Sequence, residues 1–170
     1  MTSAQSPSHS EEKRYQISTI RDKTALPDPD MPQPRSHTYI FVCTNPVDGS
    51  GYIHQVTGDL VTGMRYESKP ADDPEDKEIM FSKELLGTVK AAAYPKNVDD
   101  IRRAQPRPGK QKAFNVRTGR TEPIKANGSF YEVGEKKGPL FKCTEWTEQL
   151  AIPALMEAGV IIPASSHEVH

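Results

Sequence analysis

Apolar residues are scarce in this chain. They make up 35% of 170 residues and the mean hydropathy is −0.68, which supports one modest core and no second one. No run approaches the roughly 18 apolar residues that cross a bilayer, and no basic head precedes an apolar stretch with a small-residue cleavage site. The expectation is a cytoplasmic protein without a membrane partner. Two cysteines are too few for a disulfide framework, so in a reducing compartment both are thiols. A net charge of −1 gives the chain as a whole no attraction to nucleic acid, which is not an expected partner. The spacing of Cys and His does not fit zinc, and neither G-x-x-x-x-G-K nor G-x-G-x-x-G occurs. No metal or cofactor is expected.

Proline is abundant instead. Its 15 residues exceed the average share of about 5%, which favours short elements and ordered loops over a helical bundle. Residues 1–36 are rich in Ser, Pro and charge and read as a disordered tail; a short piece around Tyr15, Ile17 and Ile20 is the one part able to dock. Order is expected from His37. HTYIFVC is a strand buried on both faces, the turn NPVDGSG leads into YIHQV, and GMRYES is a third strand, so residues 37–68 form a meander. MFSKELLGTVKAAAY supplies one or two more strands. PKNVDDIRRAQPRP holds a short helix capped by Asn97, and residues 106–142 are mostly loop with one possible strand at SFYEV. Trp146, Leu150, Ala154, Leu155 and Ala158 recur at helical spacing, Gly159 stops the helix, and Pro153 kinks it. The reading is a single α+β domain over 37–163, a small antiparallel sheet with a C-terminal helix packed on it, followed by a disordered C-terminus at 164–170.

Cys143 opens that last helix in LFKCTEWTEQL. A thiolate there faces unpaired amide donors and the positive end of the helix dipole, both of which lower its pKa. The same amides can bind an oxyanion. His37 and His54, on neighbouring strands, are the histidines able to act as base and orienting group. A plain alternative stands beside each: Cys143 as a small buried hydrophobe, each histidine as a hydrogen-bonded core or surface residue, and Cys43 as core. Trp146, Lys142 and Tyr39 are the expected substrate-binding neighbours.

The order HTYIFV, GSGYIHQVTG, KCTEWTEQL resembles the permuted papain-like thiol enzymes of the NlpC type, in particular the lecithin-retinol acyltransferase-like proteins. It is also similar to a group of small fungal proteins of unassigned activity, which share a His-strand, a Y-x-H-x-x-G segment, a G-M turn and a C-x-E-W-T helix. The resemblance implies Cys143 as nucleophile, His37 as general base and His54 as third member. Thr38 stands where the acyltransferases have Trp, and Lys142 where they have Asn. The function expected is a hydrolase or acyl/peptidyl transferase cutting an amide, ester or thioester of a small molecule or peptide. The competing class is a non-catalytic binding module, or a pseudoenzyme of the same fold, using the basic loop 102–125.

Overall fold

A computed structural model describes residues 11–26 and 28–164. Its centre is a six-stranded sheet in the order β4-β3-β2-β1-β5-β8, with every pairing antiparallel. The strands are β1 (Arg14–Lys23), β2 (Ser36–Cys43), β3 (Gly51–Asp59), β4 (Gly63–Ala71), β5 (Met80–Lys90) and the two-residue β8 (Ile162–Pro163). The expected meander is β2-β3-β4. Its tightest point is Gly51, where an added Cβ would lie 1.9 Å from the Val42 carbonyl oxygen, so only glycine lets β3 start this close to β2.

The expected tail is corrected by β1, which lies between β2 and β5 inside the sheet. Its sequence, RYQISTIRDK, is too polar to announce a buried strand. Ladder bonds on both edges satisfy its backbone, and Ile17 and Ile20 are fully buried on opposite faces. Residues 1–10 and 165–170, which fall in the two expected disordered ends, lie outside the described residues.

One face of the sheet carries Ile17, Ile40, Val42 and Val56 and packs against the C-terminal helical run. The other carries Ile20, Tyr39, Phe41 and Ile53 under Ala71 and Met80. This division follows from the alternation of side chains along each strand. Helix α1 (Lys96–Ala104) buries Val98 and Arg102. Its cap position is Pro95; Asn97 lies within the first turn, and its Oδ1 accepts from the Val98 N–H at 2.9 Å. Within 106–142 the regular element is a hairpin, β6 (Lys112–Asn115) and β7 (Arg120–Pro123), while the expected strand at SFYEV reduces to one bridge, Ile124 to Phe130.

The last helical run is α2 (Cys143–Glu145), a π-helical segment (Trp146–Ala151) and α3 (Ile152–Glu157). Pro153 explains the change of winding. Its ring would clash with the carbonyl four residues back, and it has no N–H to donate; a widened turn before it takes up both problems, so the helix continues where a kink is expected. Among the described residues no helix is long and apolar enough to cross a membrane.

Candidate active site

Strand β3 stays with β2 only from Cys43↔Gly51 to Ile40↔His54. Beyond that point the edge of β2 that faced β3 is open at Thr38, and the start of α2 fills it. Thr144 Oγ1 lies 2.9 Å from Thr38 Oγ1 and donates to the Ser36 carbonyl at 3.3 Å, while Thr147 Oγ1 donates to the Thr38 carbonyl at 3.4 Å. These contacts seat Cys143, whose Sγ lies 4.0 Å from the Ser36 carbonyl oxygen. The His37 side chain and the Thr38 N–H lie near enough to the sulfur to stabilise its thiolate, and His37 and Cys143 line the same cleft.

Cys143 is 6% exposed and belongs to the main apolar cluster. Burial by itself pushes the thiol up. The hydrogen bond with His37, the Thr38 amide and the positive charges of His37 and Arg35 outweigh it, and the thiol is held below its ordinary value. His37 moves the opposite way. Its bond to Cys143 raises it against the effect of burial, helped by the thiolate charge, Gln55 and Asp22. Each group thus stabilises the charged form of the other.

Gln55 takes the place expected for His54. His37 Nε2 is 2.6 Å from Gln55 Oε1, and Gln55 Nε2 donates to the Glu67 carboxylate. Only the amide nitrogen can donate to a carboxylate, so the amide oxygen faces the imidazole and Nε2 carries the proton. This leaves Nδ1 for the thiol. Asp22, paired across the strands with His37, is 4% exposed, and its Oδ1 has no hydrogen-bond partner among the described residues. Its charge further favours the imidazolium. Gln55→Leu should therefore slow alkylation of Cys143 near pH 6.5 by about threefold, since one pKa unit removes about tenfold of the thiolate and the higher nucleophilicity returns about half of that on a logarithmic scale. The pH profile of labelling should shift towards that of an ordinary cysteine; an unchanged profile would remove Gln55 from the site.

The sulfur opens on a cleft of about 150 Å³ whose lining includes Leu26, Asp28, Arg35, Thr57, Met64 and Lys142. The segment before β2 is tied across it. Asp28 reaches Lys142 at 3.1 Å and Lys112 at 3.3 Å, Asp30 reaches Lys112 at 2.8 Å, and Arg35 holds Glu145 at 3.0 Å. Burial raises the Asp28 carboxyl, but the Asp30 amide and the two lysines bring it below its usual value. The strap therefore stays charged.

The structure brings Cys143, His37 and Lys142 together and separates the other expected site residues from them. His54 alternates with Gln55 along β3 and points to the other face, with Nε2 2.6 Å from the Tyr94 hydroxyl and Nδ1 3.0 Å from Ser68 Oγ. Burial, reinforced by Arg102, lowers its pKa to about 4, so it is neutral at pH 7. Trp146 is fully buried against Tyr66, and Tyr39 is 1% exposed, its hydroxyl accepting from Lys77 at 3.1 Å. Neither reaches the cleft. Both are core residues because each falls on an inward phase of its own element. The basic loop is also partly spent: Arg102 is buried, Lys112 is paired with Asp28 and Asp30, and Lys125 with Glu135. Among the described residues no group of three or more His, Cys, Asp or Glu side chains is placed to hold a metal ion.

Residues 24–162 match a family described as a family of unknown function (DUF6540). No curated protein and no solved structure matches the chain.

Proposed function

We propose that this chain, which belongs to the DUF6540 family, is a cytoplasmic Cys-His thiol hydrolase or acyl/peptidyl transferase on a permuted papain-like plan. The observation that carries the reading is that Cys143 and His37 line one cleft as neighbours, with the thiol lowered and the imidazole raised by each other. Such opposed shifts in two touching groups are the arrangement acid-base and nucleophilic chemistry requires.

In the proposed reaction the Cys143 thiolate attacks the carbonyl carbon of an amide, ester or thioester. A C–S bond forms and the carbonyl electron pair moves to oxygen. The Thr38 amide and the N–H groups of the first helical turn, which precede the first helical bond from Trp146 to Lys142, are the donors for that oxyanion. As the C–X bond breaks, His37 gives its proton to the leaving nitrogen, oxygen or sulfur. Water, or an acceptor amine or hydroxyl, then gives a proton to His37 and attacks the thioester carbon. The C–S bond breaks and the thiolate returns. Gln55 orients His37 throughout. Leu26 and Met64 on the cleft wall suit a short acyl group, and the charged Asp28, Arg35 and Lys142 suit a polar small-molecule or peptide remainder.

The test compares two thiols in one molecule. Cys43 is the more exposed, and among the described residues its sulfur is hydrogen-bonded to the Asn45 carbonyl at 3.5 Å and to no imidazole. At pH 6, iodoacetamide followed by peptide mass mapping should modify Cys143 at least about tenfold faster than Cys43, against the order of exposure. A short-chain p-nitrophenyl ester should leave an acyl mass on Cys143 that is lost in Cys143→Ser. Faster labelling of Cys43, or slow and equal labelling of both, would overturn the reading and return the chain to the class of binding modules.

A further inference from the structure

A second hollow, of about 370 Å³, shares no lining residue with the Cys143 cleft. Three tyrosines wall it: Tyr15 from β1, Tyr52 from β3 and Tyr94 from the turn before α1, with His54, Ser68 and Asp99 contributing polar groups. The ring centroids of Tyr15 and Tyr52 lie 5.6 and 6.4 Å from that of Tyr94, at interplanar angles of 84° and 59°. The three rings thus turn in different directions and make a corner, not a stack.

We propose that this hollow binds a small organic ammonium ion, quaternary or alkylated, in free solution. The site is independent of the thiol reading and uses other residues.

Three observations support it. First, a cation within about 6 Å of an aromatic centroid is attracted by the ring quadrupole, and centroids this close let one cation meet that condition for more than one ring. The ring of Tyr15 already holds one such charge, the Lys13 ammonium at 5.5 Å from its centroid.

Second, the lining carries one acid and no Lys or Arg. Asp99 is ionised, since the hydrogen bond and charge of Arg102, with the Ser68 hydroxyl, outweigh burial. Its contacts with Ser68, Arg102 and His54 all use Oδ1, which leaves Oδ2 without a protein partner among the described residues. Arg102, the neutralising cation, is fully buried behind it and lies over the Tyr66 ring.

Third, the polar floor is already built. Tyr94 keeps its proton, because burial and the Asp99 charge raise its pKa, and its hydroxyl donates to the neutral His54. What remains to be filled is aromatic surface beside a negative charge. This combination rejects anions and gives a hydrated metal ion too few oxygen ligands.

The test titrates the full chain with choline chloride at constant ionic strength, followed by calorimetry and the tyrosine ring NMR signals. 3,3-Dimethylbutan-1-ol, in which carbon replaces the charged nitrogen, is the neutral control. Choline should bind saturably with a Kd of about 1 mM or tighter, and the alcohol at least about tenfold more weakly. Tyr52 is 42% exposed, so its replacement leaves the core intact. Tyr52→Phe, which keeps the ring, should bind choline as the parent does, and Tyr52→Ala about three- to tenfold more weakly. Equal binding of the alcohol would show an apolar hollow without cation preference. That result, the absence of saturable choline binding up to about 20 mM, or parental affinity in Tyr52→Ala would each overturn the proposal.

Discussion

His37→Ala should slow alkylation of Cys143 at pH 6.5 by about 3- to 10-fold while leaving Cys43 unchanged. The thiolate is the reacting form, so its fraction sets the rate. In the parent the bond to His37 is the largest of the influences that offset burial. Without it burial meets less opposition, and the thiol moves up towards the ordinary cysteine value. Each unit of upward shift removes about ninefold to tenfold of the thiolate at pH 6.5. A thiolate of higher pKa is also more nucleophilic, with a Brønsted slope of about 0.4–0.5, which returns roughly half of that loss on a logarithmic scale.

The pH profile carries the sign. In the parent, thiol reactivity rises as pH passes upward through a value held below that of an ordinary cysteine, while the imidazolium persists to a pH above that of an ordinary histidine. Turnover, which also needs the imidazolium proton for the leaving group, falls beyond that second point, giving a bell. The variant should show one rise, displaced to higher pH. A variant profile superimposable on the parent's would detach His37 from the sulfur. Circular dichroism melts of both proteins separate this outcome from unfolding.

Trp146→Ala should cost about 3–5 kcal/mol of folding stability, the usual range for removing a fully buried aromatic ring. Trp146 heads the fully buried side chains by volume. Its ring lies 5.8 Å from that of Tyr66 on β4, so it joins the helical run to the far side of the meander. Its indole Nε1 is buried with no hydrogen-bond partner among the described residues, which already costs the native state about 1–3 kcal/mol. Trp146→Phe keeps much of the packing and removes that donor, and should lose at most about 1.5 kcal/mol. Denaturant titration reads the contrast as a lower midpoint at unchanged slope. In a chain of this size each kcal/mol moves Tm by about 2–4 °C, so Trp146→Ala should melt roughly 6–20 °C below the parent. Equal losses in the two variants would contradict this account, because they would require the indole N–H to be satisfied in the folded protein.

The parts of the fold that sequence made legible are those with a strong local signal. β2, β3 and β4 alternate or run apolar between glycine turns, α1 sits between prolines, and the Trp146–Ala158 stripe repeats at helical spacing. β1 was hidden because its burial comes from neighbours on both sides and not from its own composition: Ser18 and Thr19 are at most 3% exposed, yet read locally as tail residues. That omission also hid Asp22, which reaches His37 only through the β1–β2 register.

The placing of Cys143 beside His37 was legible because they stand at an element start and in a strand of recognisable type. The third member was not. His54 and Gln55 are adjacent, and which of them shares the His37 face depends on strand register, a one-residue choice that inverts every side chain. With Ile40 opposite His54, the odd positions of β3 align with the odd positions of β2, and Gln55 falls on the side of His37. Histidine's chemistry attracted the assignment, and parity decided it. Trp146 was misplaced for a similar reason: a residue three positions after a nucleophile invites a binding role, whereas the apolar stripe containing it fills the interior.

The wide turn at Trp146–Ala151 has a bearing on which way the sulfur points. Successive residues of an ordinary α-helix are rotated by about 100° about its axis, and a π turn accommodates one residue more than that winding allows. The stretch leading away from Cys143 and the stretch ending at Leu155 are thus phased independently. Leu155 keeps its seat in the interior while the thiol is dialled towards β2. A regular helix joining the same ends with one residue fewer would hold the domain together and leave the sulfur rotated by roughly a quarter-turn from the imidazole, so the aim of the reacting atom is governed by a residue count within the scaffold.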